Sequence, residues 1–180
     1  MGSTESKPIT NLTIKNGPLG EKVYRVKKNG AIYYVKKNLT PKAIDNYQWA
    51  TKEGVGAPVK VDYSEGSATI EERIELVKAI QNGMLTKEKA ISQVRELQAC
   101  LEKHRKAHCN VKMENYYYFK SQGQILLIDN GEITDYGKRR LVKTPGENTF
   151  IIGGKPDVVG PQTDQKGFSR IINELSRADQ

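Results

Sequence analysis

Apolar and polar positions alternate with a period of two over Asn11-Leu12-Thr13-Ile14-Lys15 and Val23-Tyr24-Arg25-Val26. A third β-rich run follows at Ala31-Ile32-Tyr33-Tyr34-Val35-Lys36-Lys37. A period of two is what a half-buried strand needs, because successive side chains leave opposite faces. Asn29-Gly30 sits between the second and third runs, and Asn-Gly there signals a tight hairpin. The opening therefore reads as three antiparallel strands, with Asn16-Gly17-Pro18-Leu19-Gly20 as the first turn. Two further strands are predicted at Pro58 to Tyr63 and Ala68 to Ile74, joined by the turn Ser64-Glu65-Gly66-Ser67.

Elsewhere the period lengthens to that of a helix. Pro41 opens a helical segment from Lys42 to Lys52, and Glu53-Gly54 stops it. A short helix spans Glu75 to Gln81. Thr86 caps a longer one, whose Ile91, Val94, Leu97 and Leu101 recur at three-to-four spacing and make a single apolar stripe. Beyond it, Tyr116-Tyr117-Tyr118-Phe119 and Gln124 to Ile128 pair across Ser121-Gln122-Gly123. Phe168, Ile171, Ile172 and Leu175 mark a closing helix. Strands and helices together predict an α+β fold. The 180 residues are enough for one packed domain, or for two small lobes sharing a cleft.

Composition adds limits. The net charge of +8, from 29 basic and 21 acidic residues, attracts anions. The lysines are spread along the chain, so the charge reads as a solvated basic surface. Cys100 and Cys109 are too few for a disulfide scaffold and lack metal-ligand pairing, which predicts reduced thiols. Cys109 reads as a small buried filler. No apolar run approaches ~18 residues, so no membrane span is predicted. Residues 1–10 lack the apolar core of a signal peptide and read as a disordered leader. The single domain then runs over 11–180.

The candidate chemistry lies in His108-Cys109-Asn110-Val111-Lys112-Met113-Glu114-Asn115, followed by Leu127-Ile128-Asp129-Asn130-Gly131. Asp129-Asn130-Gly131 taken alone is a turn. Together, behind an amphipathic helix and across a hairpin, the two stretches read H-x-N-x-K-x-E-N and I-D-x-G. This resembles the catalytic and metal-binding loops of protein kinases, H-x-D-x-K-x-x-N and D-F-G. The resemblance covers about residues 11 to 132. It implies a minimal bilobal protein-kinase-like fold, with a small antiparallel N-lobe sheet over about 11–74 and a reduced helical C-lobe over about 75–180.

The resemblance also implies ATP and Mg²⁺ as cofactors, with Asn115 and Asp129 as the metal ligands. Lys112 would lie near the transferring phosphate, and His108 would hold the loop. Gly17-x-x-Gly20 is a reduced form of the glycine-rich loop over the phosphates, with Lys15 where the first glycine would fall. Tyr33-Tyr34-Val35-Lys36 matches V-A-I-K, which makes Lys36 the phosphate-gripping lysine and Lys37 its rival on the opposite face. Tyr34 replaces a small alanine and alters the adenine pocket. Glu71 to Ile74 would be the hinge. The acidic partner of the lysine would be Asp45, Glu53 or neither.

Asn110 stands at the catalytic aspartate position. An amide has nearly the same shape but cannot take a proton, and loss of a general base costs about 10²–10⁴ in rate. The chain is then either a natural pseudokinase or an active enzyme with Asp replaced by Asn. The intact Lys112, Asn115 and Asp129 favour replacement. Only 49 residues follow Gly131, which resembles the minimal Ser/Thr kinases that pathogenic bacteria inject by type III secretion. The resemblance thus implies an effector in the host cytoplasm, or otherwise a cytoplasmic protein. It would be monomeric, would act on a host protein, and would have no stable nucleic-acid partner. The alternatives are a pseudokinase binding module, a small-molecule phosphotransferase of the aminoglycoside-kinase kind, and a basic nucleic-acid binder. The last would use Tyr116 to Phe119 for stacking and Lys138-Arg139-Arg140 for phosphates.

Overall fold

The computed structural model describes residues 13–16, 22–140 and 157–177. The expected leader over 1–10, Gly17 and Gly20 lie outside the described residues. Strands β1 (Thr13–Asn16), β2 (Lys22–Lys28) and β3 (Ala31–Lys37) pair antiparallel in succession. Asn29 and Gly30 turn the hairpin at φ 53° and 80°, the two left-handed conformations that a two-residue I′ turn requires. Helix α1 (Pro41–Lys52) follows. The Thr40 hydroxyl accepts the Ala43 N–H at 3.2 Å, satisfying one of the orphan donors of the first turn. Gly54, at φ 80°, ends the helix. Strands β4 (Val59–Asp62) and β5 (Ser67–Glu71) complete a five-stranded antiparallel sheet in the order β1-β2-β3-β5-β4.

The predicted strand from Ala68 to Ile74 is broken. After Glu71 the chain leaves this sheet, and β6 (Ile74–Glu75) pairs instead with Tyr118 and Tyr117. Glu72 and Arg73 bridge the gap. Helices α2 (Leu76–Gln81) and α3 (Lys87–Lys103) come next, the second capped by Thr86, whose hydroxyl accepts the Lys89 N–H at 3.1 Å. The short β7 (Lys106–Ala107) leads into the His108–Asn115 loop. Strands β8 (Tyr116–Phe119) and β9 (Gln124–Leu127) form the predicted hairpin and share a three-stranded sheet with β6. The pairs β7 with β10 (Thr134–Asp135), and β11 (Arg139–Arg140) with β12 (Asp157–Val158), are two-residue ladders. Helix α4 (Gln162–Ser176) closes the described chain.

Two large apolar clusters hold these elements. In one, Ile44 and Tyr47 of α1 meet Ala68 and Ile70 of the five-stranded sheet, with Phe119, Leu126 and Ile128 from the second hairpin. In the other, Val94, Leu97 and Leu101 of α3 pack against Phe168, Ile171 and Leu175 of α4 over Tyr116 and Leu127. Each such fully buried aliphatic or aromatic side chain contributes about 1.5–3 kcal/mol. Ala90 is buried and Ile91 only half-buried, so the stripe on α3 is turned slightly from the predicted one. Strand β9 and the residues after it serve both clusters, and they carry Asp129 between them. Among the described residues the molecule is α+β, with small antiparallel sheets and four α-helices. No helix among them is long and apolar enough to cross a membrane.

Candidate functional site

Three segments converge at the junction of the two sheets: the end of β3, the His108–Asn115 loop and the turn after β9. Alternation along β3 sends Lys36 inward, where it is 7% exposed. Lys37 is sent outward, its Nζ 5.7 Å from the Tyr24 ring centroid. Lys36 Nζ donates to Asp129 Oδ1. The other carboxylate oxygen, Oδ2, accepts from Asn110 Nδ2 at 3.0 Å. Burial acts to lower the Lys36 pKa, but Tyr47 and then the charge and hydrogen bond of Asp129 outweigh it, and the ammonium titrates above its ordinary range. Tyr47 lies on α1, so this helix meets Lys36 through a phenol. The two acids proposed for that role point elsewhere: Asp45 accepts from Tyr63 Oη at 2.5 Å, and Glu53 pairs with His104 at 3.1 Å.

Asp129 has φ 59° and ψ 51°, a left-handed conformation that costs an L-residue about 1–2 kcal/mol. Its neighbours hold the backbone there. Ile128 N–H donates to the Asn115 carbonyl at 2.9 Å, Asn130 Nδ2 to Leu127 O at 3.0 Å, and Asn46 Nδ2 of α1 to Gly131 O at 2.8 Å. His108 Nε2 lies 3.1 Å from the Ile128 carbonyl, which can only accept, so Nε2 carries the proton. Burial lowers the His108 pKa, with Asp164, Asp129, the Ile128 carbonyl and the Asn130 side chain only partly opposing it. A neutral, fully buried His108 braces the loop, the role the resemblance implies for it.

Sequence reasoning missed Asp164. From the first turn of α4 it accepts the N–H groups of His108 at 2.5 Å and Cys109 at 2.9 Å, one on each oxygen. Two consecutive N–H groups directed at one carboxylate go with φ 71° at Cys109. The Cys109 side chain is the buried filler expected, 4% exposed. A Cβ at Gly167 would lie 2.4 Å from the Val111 carbonyl oxygen, so only glycine lets α4 come this close to the loop. The signal was present: Asp164 occupies the same helical face as buried Phe168, Ile171 and Leu175. An acid on an apolar stripe needs a buried partner.

Asn115 is wholly buried. Its Nδ2 donates to Asn110 O at 2.7 Å, while its Oδ1 is buried without a hydrogen-bond partner. Such an orphan costs about 1–3 kcal/mol. An amide oxygen and a carboxylate in one bonded group are hard donors, which suits a divalent cation that keeps water or phosphate oxygens as its remaining ligands. Among the described residues no group of three or more His, Cys, Asp or Glu converges to hold a metal on its own. Asp129 and Asn115 therefore offer a hard cation two oxygens, short of a full ligand set.

The remaining candidates are dispersed. Lys112 is exposed and lines an open groove of about 610 Å³ with Val77, Glu114, Tyr117, Arg170 and Glu174; it does not line the cavity that contains Lys36 and Asp129. That cavity, under Val23, Tyr34, Ile70 and Arg73, measures about 30 Å³, room for one or two waters where a small-molecule site takes about 300 Å³ or more. Arg73, from the segment between the sheets, closes it. Its Cζ lies 3.6 Å from the Tyr34 ring centroid and 4.6 Å from that of Tyr117. Of the aromatic run considered for stacking on nucleic acid, Tyr116 and Phe119 are buried in the core. No protein-family model matches the chain, and no curated protein matches it at a significant level.

Proposed function

We propose that this chain is a minimal bilobal protein-kinase-like phosphotransferase, using ATP and Mg²⁺ to modify serine or threonine of a protein, with turnover impaired by Asn110. The observation that carries the reading is the buried Lys36–Asp129 pair, with Asn110 on the second carboxylate oxygen and an unpartnered Asn115 Oδ1 in the same bonded group. In this reading the five-stranded sheet with α1 is the N-lobe and the remainder the C-lobe. Mg²⁺-ATP, when bound, supplies the phosphoryl group and most of the charge to be neutralised.

The protein's own part is positioning and charge. Asp129 and Asn115 offer oxygens to the cation. Lys36, held as an ammonium beside Asp129 and Tyr47 in the closed site, turns from Asp129 to pair with phosphate. Asn110 can orient a substrate hydroxyl but cannot accept its proton. Lys112 is exposed and brings a flexible positive charge from the loop's outer edge. In this reading the protein is an effector delivered into a host cytoplasm, with a host protein as substrate.

The test is transfer of radiolabelled phosphate by the Asn110→Asp protein, alone and in host-cell lysate. Incorporation is expected in one or both. A folded Asn110→Asp protein that labels neither itself nor any lysate protein overturns the enzyme reading. A second reading, a binding module of the pseudokinase kind, is favoured by Asn110 itself. Its amide donates to Asp129, so the asparagine is a working part of the closed site. That reading expects partner capture that survives changes at Lys36 and Asp129.

A further inference from the structure

On the edge away from β8, strand β9 has one finished rung and one unfinished rung. At the finished one, Leu127 donates to the Val55 carbonyl at 2.8 Å and accepts the Ala57 N–H at 2.9 Å, where the chain leaving α1 runs alongside. One rung further, Glu53 and Gly54 still belong to the last turn of α1, and the Val55 N–H turns back to the Ala50 carbonyl. No strand therefore reaches Ile125. The Gln93 side chain of α3 replaces half of the missing partner, its Oε1 accepting the Ile125 N–H at 2.7 Å. A strand residue sends its N–H and C=O to the same side, so the Ile125 carbonyl points this way too. Among the described residues nothing donates to it. Ile125 is 1% exposed, and beside it lies a pocket of about 180 Å³ between the end of α1, α3 and β9.

The lining of the pocket sets the chemistry it accepts. Val55 and Leu97 give apolar walls, and Glu53 and Glu96 bring two carboxylates to one place in a chain of net charge +8. Glu53 holds His104 on one oxygen at 3.1 Å, which leaves the other. Among the described residues Glu96 pairs with no cation. We propose that this pocket is the docking site for an arginine side chain of a partner protein. A guanidinium is flat, so its faces lie against Val55 and Leu97, and its donors fan out in one plane toward the Ile125 carbonyl and the two carboxylates. A lysine ammonium is a strongly hydrated point charge and matches this spread of acceptors less well. The pocket is smaller than the roughly 300 Å³ of a small-molecule site and suits a single side chain, as an arginine anchor at an interface requires. The inference stands apart from the phosphotransferase reading, because none of these residues lines the cavity of Lys36 and Asp129.

The test is a titration of the ¹⁵N-labelled full chain with Nα-acetylarginine amide, Nα-acetyllysine amide and Nα-acetylcitrulline amide, followed by amide chemical shifts. Citrulline keeps the shape of arginine and lacks its charge. The arginine compound is expected to saturate with a dissociation constant on the order of 1–10 mM, shifting the amides of Val55 and Ile125 and the side-chain amide of Gln93. The lysine compound should bind several-fold more weakly, and the citrulline compound more weakly still. Glu96→Gln should weaken arginine binding roughly threefold, as for one exposed ion pair, and Glu53→Gln with Glu96→Gln roughly tenfold. Glu88→Gln, on the same helix outside the pocket, should leave it unchanged. The absence of a saturable shift at about 50 mM arginine compound overturns the proposal, as does equal binding of the citrulline compound. Lysine binding as tight as arginine overturns the guanidinium assignment, and equal weakening by Glu88→Gln reduces the effect to long-range charge and overturns the site. Thermal melting confirms that each variant is folded, and the exposed Glu96→Gln carries the test if the double variant does not fold.

Discussion

The two ends of the cleft between the sheets are built differently. At the inner end, Lys36, Asp129, Asn110 and Asn115 are linked by hydrogen bonds, His108 is held on the neighbouring Ile128 carbonyl, and almost all are buried. At the outer end, Tyr34, Arg73 and Tyr117 are half-buried and held by ring faces. Moving any member of the inner group strands a charge or a donor away from water, which costs several kcal/mol. Arg73, by contrast, can swing into water and recover its solvation. A fixed polar floor thus lies beside a half-buried arginine held by ring faces, and the contrast can be measured.

The largest effect is expected from Lys36→Met, which leaves the Asp129 carboxylate buried without its cation. Loss of about 3–5 kcal/mol, and a fall in melting temperature on the order of 10 °C, should follow, with partial recovery on adding Asp129→Asn. An unchanged melt would show the inner end to be as loosely held as the outer. Next is Asp164→Ala, which removes the acceptor of two backbone N–H groups. It should cost about 3 kcal/mol, read as a shifted urea midpoint at constant slope.

Asn110→Asp comes third. It sets a second carboxylate where an amide donates at 3.0 Å, and should cost about 1–2 kcal/mol without divalent cation. Millimolar Mg²⁺ should recover the loss and stabilise wild type less. The fourth concerns pH. Burial depresses the His108 pKa, so the unfolded chain binds the proton first. The stability from neutral His108 is complete above the unfolded value near 6.5 and is lost as pH falls below it, by at most about 1.4 kcal/mol per pH unit. A Tm profile between pH 7 and 5 should be steeper for wild type than for His108→Asn. The smallest effect is Arg73→Ala on unliganded stability, within about 0.5 kcal/mol. A larger loss would mean that the arginine is structural.

The residues legible in the sequence are those whose partners lie close along the chain. Asn110, Asn115 and Asp129 fall within one loop and one hairpin, and the structure brings them into one bonded group. Lys36 and Lys37 could be told apart only once the sheet had two different sides, one facing Asp129. Asp164, Asn46 and Tyr47 escaped notice because each acts across a long separation: 55 residues from Asp164 to Cys109, and 85 from Asn46 to Gly131. Asp164 alone left a trace, an acid on an apolar face. The periodicity runs a strand through the break at Glu72-Arg73, because strand-like residues on both sides of it look the same whichever sheet they join; only the resemblance, with its hinge over Glu71 to Ile74, marks the place. Neither reading of Arg73, as strand or as hinge, gives its side chain a role, whereas the structure sets it over the rings of Tyr34 and Tyr117.

The distance from Cys109 to Asp164 also has a consequence in time. A ribosome adding about 5–20 residues per second delivers the 55 residues that separate them over some 3–11 s. During that interval the five-stranded sheet, α1 and the Lys36–Asp129 pair have all been synthesised, while the His108–Cys109 turn still lacks its acceptor. The cleft is therefore completed last. Helix α4 acts as the latch of biosynthesis: a nascent chain halted before Gln162 has Lys36 and Asp129 but lacks the carboxylate that fixes the His108–Cys109 turn.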